Sequence, residues 1–119
     1  MRYMGSKARH AKHIIPIILA THDQSMPYVE PFVGGGNLFS GVPAKIKWGN
    51  DTAKYAVALL DGLSKGWKPP EMLSEIEYKE IKANPQPFDP ALVGFAAYSC
   101  SYAGKFWGGY ARGNTNKGE

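Results

Sequence analysis

The chain has 119 residues, which is enough for a single small domain but short for a complete α/β enzyme. Its formal net charge of +4 is compatible with a polyanionic partner without requiring one. The single cysteine, Cys100, excludes an intrachain disulfide, the amino terminus lacks the apolar core of a signal peptide, and the apolar run 14–20 is too short to span a bilayer. These features predict a cytoplasmic protein.

The first part of the chain predicts a polar amino-terminal segment, residues 1–7, and then a helix over 8–21 that Ser6 caps. Apolar residues recur at helical spacing in this helix, so one face should pack on a sheet, and Pro16 should kink or restart it. The cations on its other faces are explained more simply by solvation than by DNA phosphates. The three histidines lack partners at ligand spacing, so we expect no metal site.

The stretch 28–39 is central to the organisation of the chain. A short buried strand runs into the glycine turn Gly34-Gly35-Gly36 and toward a helix, and three glycines allow positive φ and the close approach of a ligand. A second strand, 44–49, leads to Asp51, which is placed as in folds that hydrogen-bond a ribose diol. This pattern is typical of α/β proteins that bind adenine-containing cofactors, with a parallel pair of strands. Phe39 stands where the dinucleotide fingerprint has its third glycine, so the pattern departs from that of NAD proteins.

The second half of the chain is predicted to be mainly helical. Helices are expected over 52–66, 71–84 and 90–103, the second of them exposed and charged, with Leu73, Ile76 and Ile81 facing inward. The proline-rich stretch 84–90 must be a loop, because proline removes backbone donors and restricts its neighbours.

Four motifs follow one another along the chain: Arg-Tyr-Met-Gly-Ser-Lys at 2–7, Glu-Pro-Phe-Val-Gly-Gly-Gly at 30–36, Asn-Asp at 50–51, and Gly-Lys-Phe-Trp-Gly-Gly-Tyr-Ala-Arg at 104–112. In this order they resemble the Dam-type (D12 class) adenine-specific DNA methyltransferases, and the last one, the Gly-aromatic segment, is similar to a segment of phage-borne members. The resemblance implies a Rossmann-like α/β methyltransferase fold with three layers and parallel strands. It also implies S-adenosylmethionine (SAM) as the cofactor and DNA as the partner.

The resemblance further implies roles for individual residues. Tyr3 and Lys7 would lie beside the cofactor and the target base, Glu30 would face the ammonium group of SAM, and Phe32 would border the adenine. The alternatives are structural: an exposed lysine, an acidic strand end and a core phenylalanine. The implied cofactor-binding residues are Tyr3, Lys7, Glu30, Phe32, Gly34, Gly36 and Asp51. The implied DNA-binding residues are Lys7, Lys105 and Arg112, of which the last two stand among aromatic residues, as in nucleic-acid clefts.

The catalytic tetrad of the family, (Asp/Asn)-Pro-Pro-(Tyr/Phe), is absent from the sequence. Asp89-Pro90 lacks the second proline and the ring, and 84–88 has one residue too many and precedes the Gly-aromatic segment instead of following it. No catalytic residue is therefore assigned. We expect residues 1–119 to form a single incomplete SAM-binding domain, truncated before the catalytic strand and without a target-recognition domain. Another chain or self-association would complete the sheet, since two strands leave both edges open.

The leading hypothesis is the SAM-binding portion of a site-specific DNA adenine N6-methyltransferase, truncated or split, of a phage or restriction-modification type. One alternative is a non-catalytic SAM-binding or DNA-binding remnant, because the cofactor glycines are present while the tetrad is absent. Another is a fragment of a nicotinamide-nucleotide oxidoreductase, which only the glycine turn suggests.

Overall fold

The computed structural model describes residues 1–112. Two strands, β1 and β2, pair in parallel, with Tyr28 beside Lys47 and Glu30 beside Gly49, which confirms the predicted parallel pair. The elements run in the order α1 (Ala11–Thr21), β1 (Tyr28–Glu30), β2 (Lys47–Gly49), α2 (Lys54–Ser64), α3 (Glu75–Ala83) and α4 (Pro90–Gly94), followed by a π-helical turn at Phe95–Ser99.

The residues between β1 and β2 form turns. After the glycines the chain makes only a short 3-10 turn at Phe39–Gly41, and the Ser40 N–H donates to the Gly36 carbonyl at 3.0 Å. Glycine and proline both disfavour helix, and the segment has Gly36 at its start and Pro43 shortly after its end. The expectation of a helix directly after the glycine turn was therefore wrong.

Helix α1 begins at Ala11, later than the predicted Ala8, and continues through Pro16 without ending or restarting. His10 stands at its N-cap without a side-chain hydrogen bond, whereas the Ser6 hydroxyl accepts from the Ala8 N–H at 3.1 Å. Ser6 thus stabilises a turn ahead of the helix, and its predicted role as the cap was wrong. No residue of α1 is fully buried, so its apolar face is only partly covered.

The buried side chains lie mainly among the helices of the second half. Helix α2 packs so closely on α4 that a Cβ at Gly94 would collide with the Tyr55 carbonyl oxygen and crowd Leu59. This contact explains why a glycine stands inside a helix, where it is otherwise unfavourable. Two clusters of buried side chains lie among the described residues, one formed by Leu73, Tyr78, Ile81, Val93 and Ala96 and the other by Ala56, Ala97 and Tyr98.

Helix α3 begins with a capping box, in which the Ser74 hydroxyl accepts from the Glu77 N–H and the Glu77 carboxylate accepts from the Ser74 N–H. Tyr78 and Ile81 face the core. Ile76 is 72% exposed, so its predicted inward position was wrong. Ile76 precedes Tyr78 by two positions, and two positions on a helix correspond to a rotation of about 200°. Ile76 therefore lies on the face opposite to Tyr78.

The predicted helix over 90–103 is divided. Asp89 caps α4, and Pro90 occupies its first position, where a missing N–H costs nothing. After the π-helical turn the chain leaves the helix, and buried Ser101 forms an antiparallel bridge with Tyr110. The Ser101 hydroxyl donates to a carbonyl of the π-helical turn at 3.1 Å, a local side-chain bond that competes with helix continuation.

One face of the sheet is uncovered in the part of the chain that the structure describes. Val29 and Trp48 are neighbours across the strand pair, and they are 53% and 62% exposed. Within residues 1–112 no third strand joins this pair. The expected three-layer arrangement is therefore not formed by these residues alone.

Candidate cofactor site

The glycine turn lies where the ends of the two strands meet. The Val33 N–H donates to the Asn50 carbonyl at 2.8 Å, and the Gly34 N–H donates to one oxygen of the Asp51 carboxylate at 3.0 Å. The other carboxylate oxygen accepts from the Ala53 N–H at 2.9 Å, directly before α2. Asp51 therefore joins the glycine turn to the start of α2.

These bonds also set the charge of Asp51. The hydrogen bond from the Ala53 N–H holds the pKa of this carboxyl below its usual value. Partial burial raises the pKa, but the hydrogen bond from the Gly34 N–H and the charge of Lys7 lower it further. The side chain is therefore an anion at neutral pH. Each carboxylate oxygen has two acceptor positions, so Asp51 keeps acceptor capacity for a hydroxyl donor.

The glycines of the turn allow both its backbone conformation and the close packing of neighbouring segments against it. Gly34 and Gly36 have φ of +53° and +76°, in the left-handed region that favours glycine. A Cβ at Gly36 would lie 3.3 Å from Leu60 of α2, and one at Gly35 would lie 2.8 Å from the Tyr3 Cβ. The turn thus fits between α2 and the amino-terminal segment. Gly35, which sequence reasoning left out of the site, has a closer contact than either neighbour.

Glu30 carries a buried carboxylate at the end of β1 and is only 7% exposed. Its Oε2 accepts from the Tyr28 hydroxyl at 3.0 Å, whereas its Oε1 has no hydrogen-bond partner among the described residues. The Lys7 Nζ lies 3.8 Å from Oε1, close enough for charge attraction but too far for a hydrogen bond. Buried polar atoms are nearly always paired, so the unpaired oxygen indicates a position for a ligand donor.

Lys7 reaches this strand end from the amino-terminal segment. Its Nζ donates to the Phe32 carbonyl at 2.8 Å, so the lysine is held beside Glu30. The Phe32 side chain is 73% exposed, which excludes the alternative that it belongs to the core. Burial, together with the neighbouring Glu30 carboxylate, raises the pKa of Tyr28 to about 12, so its hydroxyl remains a hydrogen-bond donor.

Tyr3 lies against the glycine turn, and its ring packs on Tyr98 with centroids 5.2 Å apart. Burial, and then the charge of Asp51, raise its pKa. The next residue, Met4, donates its N–H to the Gly104 carbonyl at 3.2 Å. The amino-terminal segment is therefore held between the glycine turn and the Gly-aromatic segment.

Asn37 is a residue of this region that sequence reasoning missed. Its amide nitrogen lies 2.6 Å from the Ser6 hydroxyl and 3.3 Å from the Met1 carbonyl. It therefore ties the amino-terminal segment to the end of the turn. The available signal was a polar side chain directly after Gly36, in a stretch that is otherwise apolar.

The predicted DNA-binding residues lie in different settings. Lys7 is beside Glu30, as described above. Arg112 is hydrogen-bonded to Glu75 of α3 through two of its nitrogens, and this bonding raises the pKa of the guanidinium. Lys105 is exposed. Two of the three cations are thus engaged by carboxylates, and a DNA contact by any of them stays a prediction.

The rings of the Gly-aromatic segment pack mainly on the protein. Trp107 and Tyr110 each contact Tyr78 edge-on, with centroids 5.3 Å and 5.5 Å away. Phe106 packs on Tyr98 at 5.2 Å. Trp107 and Tyr110 are therefore engaged with α3, and this contact accounts for two of the aromatic residues without a nucleic acid.

Two cavities border these elements. One, of about 520 Å³, opens in the amino-terminal segment, and the residues lining it include Arg2, Tyr3, Ser6, Arg9 and Asn37. The other, of about 330 Å³, lies between the start of α2 and the loop 84–90, and none of its lining residues belongs to the predicted site. The first cavity is the one that adjoins the glycine turn.

The parallel strands, the glycine turn and the acidic residues at the strand ends define a small α/β protein with its candidate site at the carboxyl edge of the sheet. A sequence model of the D12 class N6 adenine-specific DNA methyltransferase family matches residues 3–88, and the chain belongs to this family. Comparisons with curated proteins and with solved structures found no match. The match covers the glycine turn and Asp51 and ends before the Gly-aromatic segment, whose resemblance stays a prediction.

The remaining features of residues 1–112 concern membranes, metals and the single thiol. These residues include no helix that is long and apolar enough to cross a membrane and no group of His, Cys, Asp or Glu side chains arranged to hold a metal ion. Burial raises the pKa of the Cys100 thiol to about 11, so it is a poor nucleophile at neutral pH.

Proposed function

We propose that this chain is the SAM-binding portion of a site-specific DNA adenine N6-methyltransferase. The observation that carries the proposal is the buried, unpaired Oε1 of Glu30 beside the glycine turn. Membership of an adenine-specific DNA methyltransferase family supports the reaction class, and SAM is the cofactor that this class implies. The residues present fit that cofactor at three points, its ammonium group, its ribose and its adenine.

The first point is the ammonium group. A buried carboxylate oxygen without a donor is costly, and an ammonium supplies both a donor and a compensating charge. Lys7 lies near enough to Glu30 to offset part of the negative charge without occupying Oε1. Among the described residues nothing donates to Glu30 Oε1, so this oxygen can accept a hydrogen bond from the ammonium group.

The second point is the ribose and the third is the adenine. The Asp51 anion is fixed at the turn by two backbone N–H groups and keeps free acceptor positions for a diol. Gly34 has no Cβ between the backbone and a ligand. Phe32, with its exposed ring directly before the turn, offers an aromatic face for the adenine.

Transfer to adenine N6 requires groups that this sequence lacks. The N6 lone pair is conjugated with the ring, and the family tetrad grips the flipped-out base and accepts its amino hydrogens. Asp89 and Pro90, the nearest match, form the beginning of α4 and so have a structural role. When bound, SAM would supply the methyl group. Tyr3 and Lys7 stand beside the glycine turn. The tetrad itself is absent, and we assign it to residues outside this sequence.

We further propose that the uncovered sheet face is where the rest of the fold docks. Val29 and Trp48 present adjacent apolar side chains there, a combination that sheets in α/β folds normally cover with further elements. The covering elements would come from a complementing chain or from a second copy of this one.

Calorimetric titration of SAM into the chain and into a Glu30→Gln variant tests the proposal. The substitution keeps the shape of the side chain and the acceptor for Tyr28 but removes the charge. SAM affinity should therefore fall by at least about tenfold, the scale of a hydrogen bond between charged groups. The matched control is Glu71→Gln, an exposed carboxylate, which should leave affinity unchanged.

Equal affinity in wild type and Glu30→Gln would contradict the ammonium assignment. A folded wild-type chain that binds no SAM would contradict the proposed function. Saturable binding of NADH without binding of SAM would instead favour the oxidoreductase alternative.

A further inference from the structure

The net positive charge of the chain is concentrated in its first 22 residues. This part contains Arg2, Lys7, Arg9 and Lys12 and no aspartate or glutamate. The remaining residues contain ten lysines and arginines and ten acidic residues, so their formal charges cancel. Clustering of this kind produces a local positive field, which a modest overall charge conceals.

Most of these cations are also free of acidic partners. Arg2, Arg9 and Lys12 are exposed, and none forms an ion pair with any residue from 1 to 112. By contrast, Arg112 is paired with Glu75. Within residues 1–112 the guanidinium donors of Arg2 and Arg9 are therefore available to a ligand.

The 520 Å³ cavity gives these donors a common location. Arg2 and Arg9 both line it, together with Ser6, and its lining residues, all of them described, include no carboxylate. Guanidinium groups bind phosphate oxygens with two parallel hydrogen bonds, and a hydroxyl adds a further donor. Such a set of donors matches a phosphodiester better than a neutral or cationic ligand.

The cavity also adjoins the candidate cofactor site. Tyr3 lines the cavity and at the same time packs against the glycine turn. A phosphate bound there would therefore be close to the candidate cofactor site.

We propose that Arg2 and Arg9 in the cavity, together with exposed Lys12 at the start of α1, form a basic surface that binds the phosphate backbone of double-stranded DNA beside the candidate cofactor site. This inference rests on the DNA substrate of the proposed function and assigns part of its binding to residues outside the predicted set. Phosphate contacts position DNA without reading its sequence, and they release counterions. The surface therefore contributes affinity that depends strongly on salt and little on base sequence.

Fluorescence anisotropy with a labelled duplex, measured at several salt concentrations between about 50 and 200 mM, tests this surface. The double variant Arg9→Gln/Lys12→Gln should bind more weakly by about tenfold or more at the lowest salt. The slope of log affinity against log salt should fall in magnitude by about 1.8, because each lost phosphate contact contributes about 0.9. Adding Arg2→Gln should reduce the slope by about 0.9 more.

The matched control is Lys45→Gln/Lys68→Gln, which removes the same charge from exposed lysines elsewhere. It should retain nearly the wild-type slope. An equal loss in the two double variants would show an effect of net charge alone and would overturn the proposal, as would a wild-type chain that binds no duplex at the lowest salt.

Titration of SAM into the same variants separates this inference from the proposed function. Arg9→Gln/Lys12→Gln should bind SAM as tightly as wild type, because neither residue belongs to the assigned cofactor set. A fall in both SAM and DNA binding would show general damage and would overturn the local assignment. Absence of SAM binding in wild type would contradict the proposed function and leave the comparison of salt slopes intact.

Discussion

Asp51 accepts a hydrogen bond from the backbone N–H of Gly34 at 3.0 Å, across the ends of the two parallel strands. Its second oxygen accepts from the Ala53 N–H at 2.9 Å. Asp51, which the sequence predicts to contact a ligand, thus also stabilises the glycine turn through its hydrogen bonds. Variants at this position must separate these two roles.

Asp51→Ala should lower the free energy of unfolding by about 1–3 kcal/mol, because two backbone donors lose their acceptor. Asp51→Asn should cost less, since its amide oxygen still accepts one of the two bonds. Urea denaturation measures both effects, with Asp61→Ala as the control for an exposed aspartate on α2. If Asp51→Ala proved no more destabilising than Asp61→Ala, the stabilising role would be refuted.

Low pH should reduce the contribution of Asp51 to the free energy of unfolding. Its pKa is lowered below the ordinary 3.8, mainly by the Ala53 hydrogen bond, so its stabilisation is present above the ordinary pKa and is lost as the pH falls through the lowered pKa. The difference in unfolding free energy between wild type and Asp51→Asn should therefore shrink between neutral pH and pH about 3. A difference that stays constant over this range would contradict the assigned hydrogen bonds.

Gly36→Ala should destabilise the protein for two reasons. An L-residue with positive φ costs about 1–2 kcal/mol, and the new Cβ would lie 3.3 Å from Leu60 of α2. Gly66→Ala is the matched control, because Gly66 has φ of +90° and open space around its Cβ position. Urea denaturation should show the larger loss for Gly36→Ala, by about 1 kcal/mol for overpacking. Equal losses would mean that Leu60 moves aside without cost.

Gly104→Ala should weaken SAM binding although residue 104 lies far from the glycine turn in sequence. A Cβ there would lie 2.8 Å from backbone atoms of Arg2 and Tyr3, so the amino-terminal segment would have to shift. Gly109→Ala, at φ of +108° with nothing near the Cβ position, controls for backbone strain. Calorimetry should show a loss of affinity in the first variant only. Unchanged affinity for SAM in Gly104→Ala would show that the position of the amino-terminal segment does not affect the cofactor site.

The sequence predicted the elements whose signals are local. The parallel strands, the glycine turn and the helices on either side of them follow from apolar spacing, glycine and proline, whereas the helix expected directly after the glycine turn is absent from the described residues. The start of α3 depends on a capping box between Ser74 and Glu77, and a helix that is predicted to begin at residue 71 places Ile76 on the wrong face.

The candidate site was predictable only in part. Glu30, Lys7 and Asp51 stand in recognisable motifs, but the hydrogen bonds that join Asp51 to Gly34 and Lys7 to Phe32 connect distant residues and leave no local trace. Asn37 was missed for the same reason, since its partners precede it by thirty-odd positions. The packing of Trp107 on Tyr78 likewise depends on tertiary structure.

The hydrogen bond between the Met4 N–H and the Gly104 carbonyl has a consequence for biosynthesis. These residues are far apart in sequence, so the segment that carries Met4 cannot dock until Gly104 has also been synthesised. Contacts of such long sequence separation form late and slowly. A nascent chain arrested before Gly104 would expose Tyr3 and leave the glycine turn open to proteases, whereas a chain released after Gly104 would protect both.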